Sequence, residues 1–175
     1  APYYVSLAKN LLKDSTVSVC TVIGFPNGYS TKETKVFEAI NAIENGADEI
    51  DMVININALK EENYEYVLNE INQIKEACNG KILKVIVETC ILTELEKIKI
   101  CDIISKSNAD FIKTSTGFST EGAQIVDIQL FKKHISEDKK IKASGGIRTF
   151  EDASKMIEAG AQRIGTSGLK EKKNL

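Results

Sequence analysis

The stretch Asn108–Lys113 reads NADFIK, and its pattern recurs as GADEID at Gly46–Asp51 and as GAQRIG at Gly160–Gly165. Each copy joins a segment of helical period to an apolar run of strand length. Such alternation is typical of βα units repeated around a parallel sheet. The same pattern would also arise from the local chemistry of any helix-to-strand turn, so the repeat supports the fold without proving it.

The repeat also predicts which way side chains point. Because neighbouring strand residues face opposite sides of a sheet, the fifth residue of each copy should face the helices. The sixth residue, which is Asp51, Lys113 or Gly165, should then point to the other side, near the carboxyl end of its strand.

Six strands and the intervening helices are predicted outward from these copies. Apolar stripes at helical spacing should pack on the sheet, and capping boxes mark two helix starts. A first helix, at about Tyr4–Lys13, precedes every strand. The strands are predicted at Val17–Ile23, Glu49–Asn55, Ile82–Glu88, Asp110–Thr114, Ile141–Ser144 and Arg163–Thr166; the stripes are Val36, Ala39, Ile40 and Ile43, then Val67, Leu68, Ile71 and Ile74; the capping boxes are Ser30 with Glu33 and Thr93 with Glu96.

The predicted fold class is therefore α/β, a TIM (β/α)8 barrel in a single domain over residues 1–175. Since only six strands are legible, we expect the first two strands and most of the last helix to be missing. Such a sheet would have two unpaired edges, so the sequence is either a portion of a longer protein or is completed by a partner chain.

Composition excludes several classes of function. The formal net charge is -2 over 175 residues, which favours neither nucleic acid nor an anionic membrane as a partner. No apolar run approaches the roughly 20 residues of a membrane span, and no targeting segment is visible. The four cysteines form no C-x-x-C pair, which fits a cytoplasmic protein. His134 is the only histidine, so a His-rich zinc site that would polarise a substrate carbonyl is excluded.

Three charged residues lie inside predicted strands, where a covered parallel sheet is usually apolar. They are Asp51, Lys113 and Lys142. In a barrel they would line the interior at the catalytic mouth. A structural charge cluster is the alternative, but desolvation tends to cancel the attraction within such a cluster. We therefore expect a catalytic role.

Lys113 is the candidate nucleophile. A lysine of ordinary pKa, about 10.4, is almost never a free amine at neutral pH. The like charge of Lys142 and partial burial would both lower that pKa. Asp51 could exchange protons with the substrate. An iminium on Lys113 would let the bond beyond the neighbouring carbon break, which is the requirement of an aldolase. A hydrolase is disfavoured, because no G-x-S-x-G elbow or suitable histidine is present.

Glycine-rich turns follow the last three predicted strands, at Ser115–Gly117, Ser144–Gly146 and Gly165–Gly168. Exposed amides in such turns, backed by a helix N-terminus, bind anions, and barrels often bind phosphate after their final strands. Arg148 could contribute a positive charge. Each turn alone is more often an ordinary tight turn, but three together favour a phosphate site.

Two of these segments resemble signature segments of the class I deoxyribose-phosphate aldolase family. They are FIKTSTGF at Phe111–Phe118 and KASGGIRT at Lys142–Thr149. CTVIGFPNG at Cys20–Gly28, ADEIDMVIN at Ala47–Asn55 and LKVIVET at Leu83–Thr89 are similar to family segments in the same order. The resemblance spans almost the whole chain.

The resemblance implies a metal-independent and cofactor-free enzyme that cleaves 2-deoxy-D-ribose 5-phosphate to acetaldehyde and D-glyceraldehyde 3-phosphate. Lys113 would carry the Schiff base, while Asp51 and Lys142 exchange protons. The phosphate would be held by Gly117, Gly145, Gly146, Gly165 and Ser167, with help from Arg148. Lys84 and Glu88 share a predicted strand face and would form a supporting layer or an ion pair. A homo-oligomer, a dimer or a tetramer, is expected.

Two other interpretations stay open. One is a catalytically inactive barrel fragment that serves as a binding or assembly subunit, because strands are missing from the pattern. The other is a related lysine-dependent lyase for a different sugar phosphate, because the turns indicate where a phosphate sits and not how long the sugar is.

Overall fold

The computed structural model describes residues 1–169 and consists of alternating strands and helices. Short 3-10 helices at Pro2–Tyr4 and Thr89–Ile91 supplement the main elements. The strands are β1 Cys20–Ile23, β2 Glu49–Val53, β3 Ile82–Ile86, β4 Phe111–Lys113, β5 Lys140–Ser144 and β6 Arg163–Gly165. The helices are α1 Val5–Leu11, α2 Lys32–Glu44, α3 Ile56–Lys60, α4 Tyr64–Ala77, α5 Glu94–Lys106, α6 Ile125–His134 and α7 Phe150–Ala159.

The six strands form one parallel sheet in chain order, β1-β2-β3-β4-β5-β6. The register places Asp51 beside Lys84, and Lys113 beside Lys142. The guanidinium of Arg163 on β6 reaches Glu49 on β2, with Nη1 and Oε2 3.1 Å apart. Strands four places apart in the sheet can be in contact only if the sheet is strongly curled. A curled parallel sheet with helices outside is a half-barrel, so the predicted α/β barrel class and all six predicted strands are confirmed.

Strand ends are shorter than predicted by one to three residues in most cases. The clearest difference is at β1, which begins at Cys20 and not at Val17. At β3, the strand ends at Ile86 and the chain then turns, because Glu88 adopts a left-handed conformation with φ of 56°. That turn changes the direction of the Glu88 side chain, which matters for the site.

The helices bury the side chains that face the sheet. On α4 the predicted stripe is confirmed, since Val67, Ile71 and Ile74 are fully buried and Leu68 is partly buried against the core. On α2 the predicted stripe is wrong in part, because Ile40 is exposed and the buried face is formed by Lys35, Ala39 and Ala42. A buried lysine therefore occupies a position that an apolar pattern cannot indicate.

Two helix starts show how local hydrogen bonds decide a boundary. The predicted capping box at Thr93 and Glu96 is confirmed at the start of α5. The one predicted at Ser30 is wrong, because Thr31 caps α2 by accepting a hydrogen bond from the Thr34 backbone N–H. Both Ser30 and Thr31 can cap a helix, so the sequence alone did not separate them.

The ends of the sheet are β1 and β6, and no pairing between them is present within residues 1–169. The prediction about the last helix falls on residues after Leu169, outside the described part of the chain. Among residues 1–169, no helix combines the length and the apolar character that a membrane span requires.

Candidate active site

The three charged strand residues meet at the carboxylate of Asp51. Its Oδ2 lies 2.7 Å from Lys113 Nζ and 2.6 Å from Lys142 Nζ. All three side chains are almost entirely withdrawn from solvent, with 3% of Asp51, 8% of Lys113 and 12% of Lys142 exposed. The three predicted catalytic residues therefore form one buried cluster on the concave side of the half-barrel.

A fourth charged residue, Lys84 on β3, joins the cluster from the other side. Its Nζ lies 2.8 Å from Asp51 Oδ1 and 2.6 Å from Glu49 Oε2. The thiol of Cys20 also donates to Asp51 Oδ1, at 3.3 Å. The sequence interpretation missed the roles of Glu49 and Cys20 and expected Lys84 beside Glu88. The signal was present, because Glu49, Asp51 and Lys84 follow the same strand alternation as Lys113.

The electrostatics separate Lys113 from its neighbours. Burial lowers the pKa of Lys113, and the positive charge of Lys142 acts in the same direction, against the opposing effect of Asp51. Burial alone would raise the pKa of Asp51, but the ammonium groups of Lys113, Lys142 and Lys84 hold it well below its usual range. Lys113 is therefore the group in this cluster whose surroundings favour the free amine, and Asp51 is an ionised base beside it.

Lys113 opens into a cavity of about 460 Å³ that the glycine-rich turns enclose. All six predicted phosphate-binding residues line this cavity, so the structure brings them together with the lysine. The lining also includes residues that the sequence interpretation did not single out. The predicted residues are Gly117, Gly145, Gly146, Arg148, Gly165 and Ser167, and the additional ones are Thr116, Ser144, Ile147 and Thr166.

Three of the glycines are required by the backbone of these turns. Gly117, Gly145 and Gly146 have φ of 85°, 89° and 77°, which side-chain-bearing residues rarely adopt. Gly165 is required for space, because a Cβ there would lie 2.6 Å from Ser144 Cβ and 3.2 Å from Lys142 Cε. A side chain at Gly165 would therefore clash with Ser144 and press on the Lys142 side chain.

The turns after β4 and β5 touch through their backbones. A Cβ on Gly122 would lie 2.2 Å from the carbonyl oxygen of Gly145. The next residue, Ala123, donates its N–H to the carbonyls of Ser144 and Gly145, at 3.1 Å each. Gly122 was missed by the sequence interpretation, since nothing in its local pattern distinguishes it from an ordinary loop glycine.

Glu88 supports the turn after β4 and does not pair with Lys84. Its carboxylate accepts a hydrogen bond from the Thr116 hydroxyl and another from the Thr116 backbone N–H, at 3.3 Å. The Thr116 Oγ1 in turn accepts from the N–H of Phe118, at 3.0 Å. In place of the expected Lys84–Glu88 pair, Lys84 binds Asp51 and Glu49, and Glu88 binds Thr116.

The fold is a parallel βα half-barrel, and it holds a buried lysine of lowered pKa at the carboxyl ends of its strands. These are the features of a Schiff-base aldolase. Comparison with protein-family models agrees, because residues 2–171 match the DeoC/LacD family of aldolases. The chain belongs to that family.

Individual relatives support the same assignment. The deoxyribose-phosphate aldolase of Malacoplasma penetrans is 60% identical over 166 residues, which are 95% of this chain and 75% of that protein. Among solved structures, QR15, an aldolase, is 46% identical with a TM-score of 0.91, covering 95% of this chain and 74% of that one. The tetrameric deoxyribose phosphate aldolase of Aeropyrum pernix is 34% identical with a TM-score of 0.87, covering 95% and 71%.

Proposed function

We propose that this chain is a Schiff-base aldolase that cleaves 2-deoxy-D-ribose 5-phosphate to D-glyceraldehyde 3-phosphate and acetaldehyde, reversibly, in deoxynucleoside catabolism. The observation that carries the proposal is the buried cluster of Lys113, Lys142 and Asp51 beside a cavity lined by glycine-rich turns. The names of the relatives support the same substrate.

The reaction begins with the free amine of Lys113. Its Nζ attacks the C1 aldehyde of the open-chain sugar, and loss of water from the carbinolamine gives an iminium. Asp51 accepts a proton during addition, and Lys142 donates one to the departing hydroxyl. The amines of Lys113 and Lys142 both lie within hydrogen-bond reach of Asp51 Oδ2, so protons can pass between the three groups without bulk water.

The iminium then accepts electrons as the carbon skeleton breaks. Asp51 accepts the proton of the C3 hydroxyl, which becomes the carbonyl of D-glyceraldehyde 3-phosphate as the C2–C3 bond breaks. The bonding electrons pass into an enamine on Lys113. Protonation of the enamine at C2 and hydrolysis of the resulting iminium release acetaldehyde and restore the amine. Every proton taken up is returned, so the cycle ends with Lys113 again as the free amine.

The phosphate occupies the far end of the cavity. We assign it to the turns that carry Gly117, Gly145, Gly146, Gly165 and Ser167, with Arg148 at the rim. These residues line the cavity, and the N–H groups of Gly117, Gly146 and Ser167 have no acceptor within residues 1–169. Amides of this kind bind a phosphate without needing a buried lysine for the purpose.

Borohydride reduction in the presence of substrate tests this assignment, because it converts an iminium into a stable amine. We expect an adduct on Lys113 in peptide mass mapping, and none in a Lys113→Arg variant. A wild-type protein that turns substrate over without any adduct on Lys113 would rule the mechanism out. Prolonged dialysis against EDTA should leave the turnover rate unchanged, and a loss restored by a divalent cation would contradict a metal-free mechanism.

We also propose that the protein is a cytoplasmic homo-oligomer. The tetrameric relative of Aeropyrum pernix supports the oligomer. The four cysteines, which are all free thiols, support the cytoplasmic location. Analytical ultracentrifugation at micromolar concentration tests the oligomeric state, and a single species at the monomer mass would contradict it.

A further inference from the structure

Lys84 is a buried lysine for which the proposed chemistry has no use. No part of its side chain is exposed. It does not line the 460 Å³ cavity, and its ammonium is held between the carboxylates of Glu49 and Asp51. A lysine that loses all hydration has a desolvation cost that these contacts must explain.

Those contacts divide the Asp51 carboxylate into two halves. Lys84 lies 2.8 Å from Oδ1, while the two amines of the proposed reaction lie on Oδ2. One oxygen therefore has a counterion that stays in place, and the other faces groups that gain and lose protons. Without Lys84, the negative charge of Asp51 would be balanced only by Lys113 and Lys142.

We propose that Lys84 is a positioning residue that gives Asp51 a permanent counterion, so that Lys113 can release its proton while Asp51 remains a carboxylate. This inference rests on the proposed function, because it assigns Lys84 a role in preparing the Schiff-base lysine. It adds a fourth charged residue to the proposed machinery, one that acts only through Asp51.

The surroundings of Lys84 keep it charged. Glu49 holds its Nζ at 2.6 Å, and Arg163 in turn holds Glu49 at 3.1 Å. Burial opposes the charge on Lys84, but Asp51 and its other partners outweigh burial and raise its pKa. A row of alternating charges thus runs from Arg163 through Glu49 and Lys84 to Asp51, and it ends at the two amines on β4 and β5.

Within residues 1–169, the other titratable groups that interact with Lys84 are the thiols of Cys20 and Cys78. Burial raises the pKa of Cys20, and it raises the pKa of Cys78 to about 11. Both thiols are therefore neutral where the enzyme would work, and they cannot replace Asp51 or Glu49 as the anion beside Lys84. The charge balance of the cluster is consequently set by two carboxylates and four cations.

The test is the pH profile of imine formation, measured as the borohydride-trapping rate with acetaldehyde, which requires no carbon–carbon cleavage. The acid limb of this profile is the pH range in which the rate falls because Lys113 becomes protonated. We expect Lys84→Met to move the acid limb to higher pH by about one unit or more, so that the rate at a given pH on the limb is about tenfold lower than in the wild type. Lys84→Arg should keep the limb in place. Glu49→Gln removes a negative charge and should move it downward.

These opposite directions separate the proposed role from structural damage, which would lower the rate without moving the limb. A Lys84→Met variant with an unmoved limb overturns the proposal, and so does an upward shift in Glu49→Gln. If Lys84→Met fails to fold, Lys84→Met combined with Glu49→Gln removes one charge of each sign. Its limb must then lie above that of Glu49→Gln alone. Failure of the proposed function itself is distinct, because the wild type would then give no adduct on Lys113.

Discussion

Replacing Lys142 by methionine should make Lys113 much harder to deprotonate. The two amines share one carboxylate oxygen, at 2.6 Å and 2.7 Å, so their nitrogens cannot be more than about 5.3 Å apart. At an effective dielectric constant of about 20, the repulsion between two positive charges at that distance is about 3 kcal/mol. Losing this repulsion corresponds to roughly a hundredfold smaller fraction of free amine at neutral pH.

The assay is the same trapping of acetaldehyde on Lys113, followed across pH. The acid limb of the Lys142→Met profile should move upward, and the rate should recover in part at alkaline pH, where Lys113 becomes free again. Lys142→Arg is the matched control, because it keeps the charge and should keep the limb. A Lys142→Met profile that falls uniformly, with its limb where the wild type has it, would refute the electrostatic reasoning and leave only a proton-transfer role for Lys142.

Three further predictions concern a buried ion pair, a glycine of the phosphate-binding turns and the Asp51 carboxylate. Lys35 and Glu70 form a fully buried ion pair at 2.7 Å. Lys35→Met should therefore lower the free energy of unfolding, measured in urea, by about 3–5 kcal/mol, and the Lys35→Met/Glu70→Met double variant should lose less than the sum of the two single variants. Additive losses would contradict the pairing. In Gly145→Ala, the new Cβ would be attached to a left-handed backbone and would lie 2.9 Å from Gly122 Cα. In Gly80→Ala, the backbone φ is similar but the new Cβ would lie in open space. Gly145→Ala should therefore raise KM for the phosphorylated substrate strongly and Gly80→Ala not at all, in steady-state kinetics; equal effects would show that strain alone acts. The lowered pKa of Asp51 means that its contribution to stability is complete above its unfolded pKa of about 3.9 and is lost as pH falls through the lower folded value. Asp51→Asn should flatten the fall of the unfolding free energy below about pH 4, and an unchanged slope would contradict this.

The sequence was sufficient for the parts of the fold that depend on period and composition. Six apolar runs became six strands, and the alternation around Lys113 correctly put it on the same side as Asp51. The glycine turns also converged on one cavity, because turns that follow parallel strands necessarily meet at one edge of the sheet. These features are local or follow from topology alone.

The features that the sequence did not reveal depend on where the chain bends. Counting by twos along β3 put Glu88 on the face of Lys84, but the strand ends two residues earlier and a left-handed residue turns Glu88 toward Thr116. Likewise, an apolar stripe on α2 gave no sign that Lys35 would be buried against Glu70. Such a pair can be predicted only when the packing of α2 against α4 is already known.

The backbone contact between Gly122 and Gly145 has a consequence for redesigning substrate scope. Neither partner has a side chain that could be trimmed, so mutagenesis at this contact can only add atoms and cannot make room. A library intended for larger or unphosphorylated aldehydes would therefore gain more by varying cavity-lining residues that have side chains, such as Ile147 and Thr166.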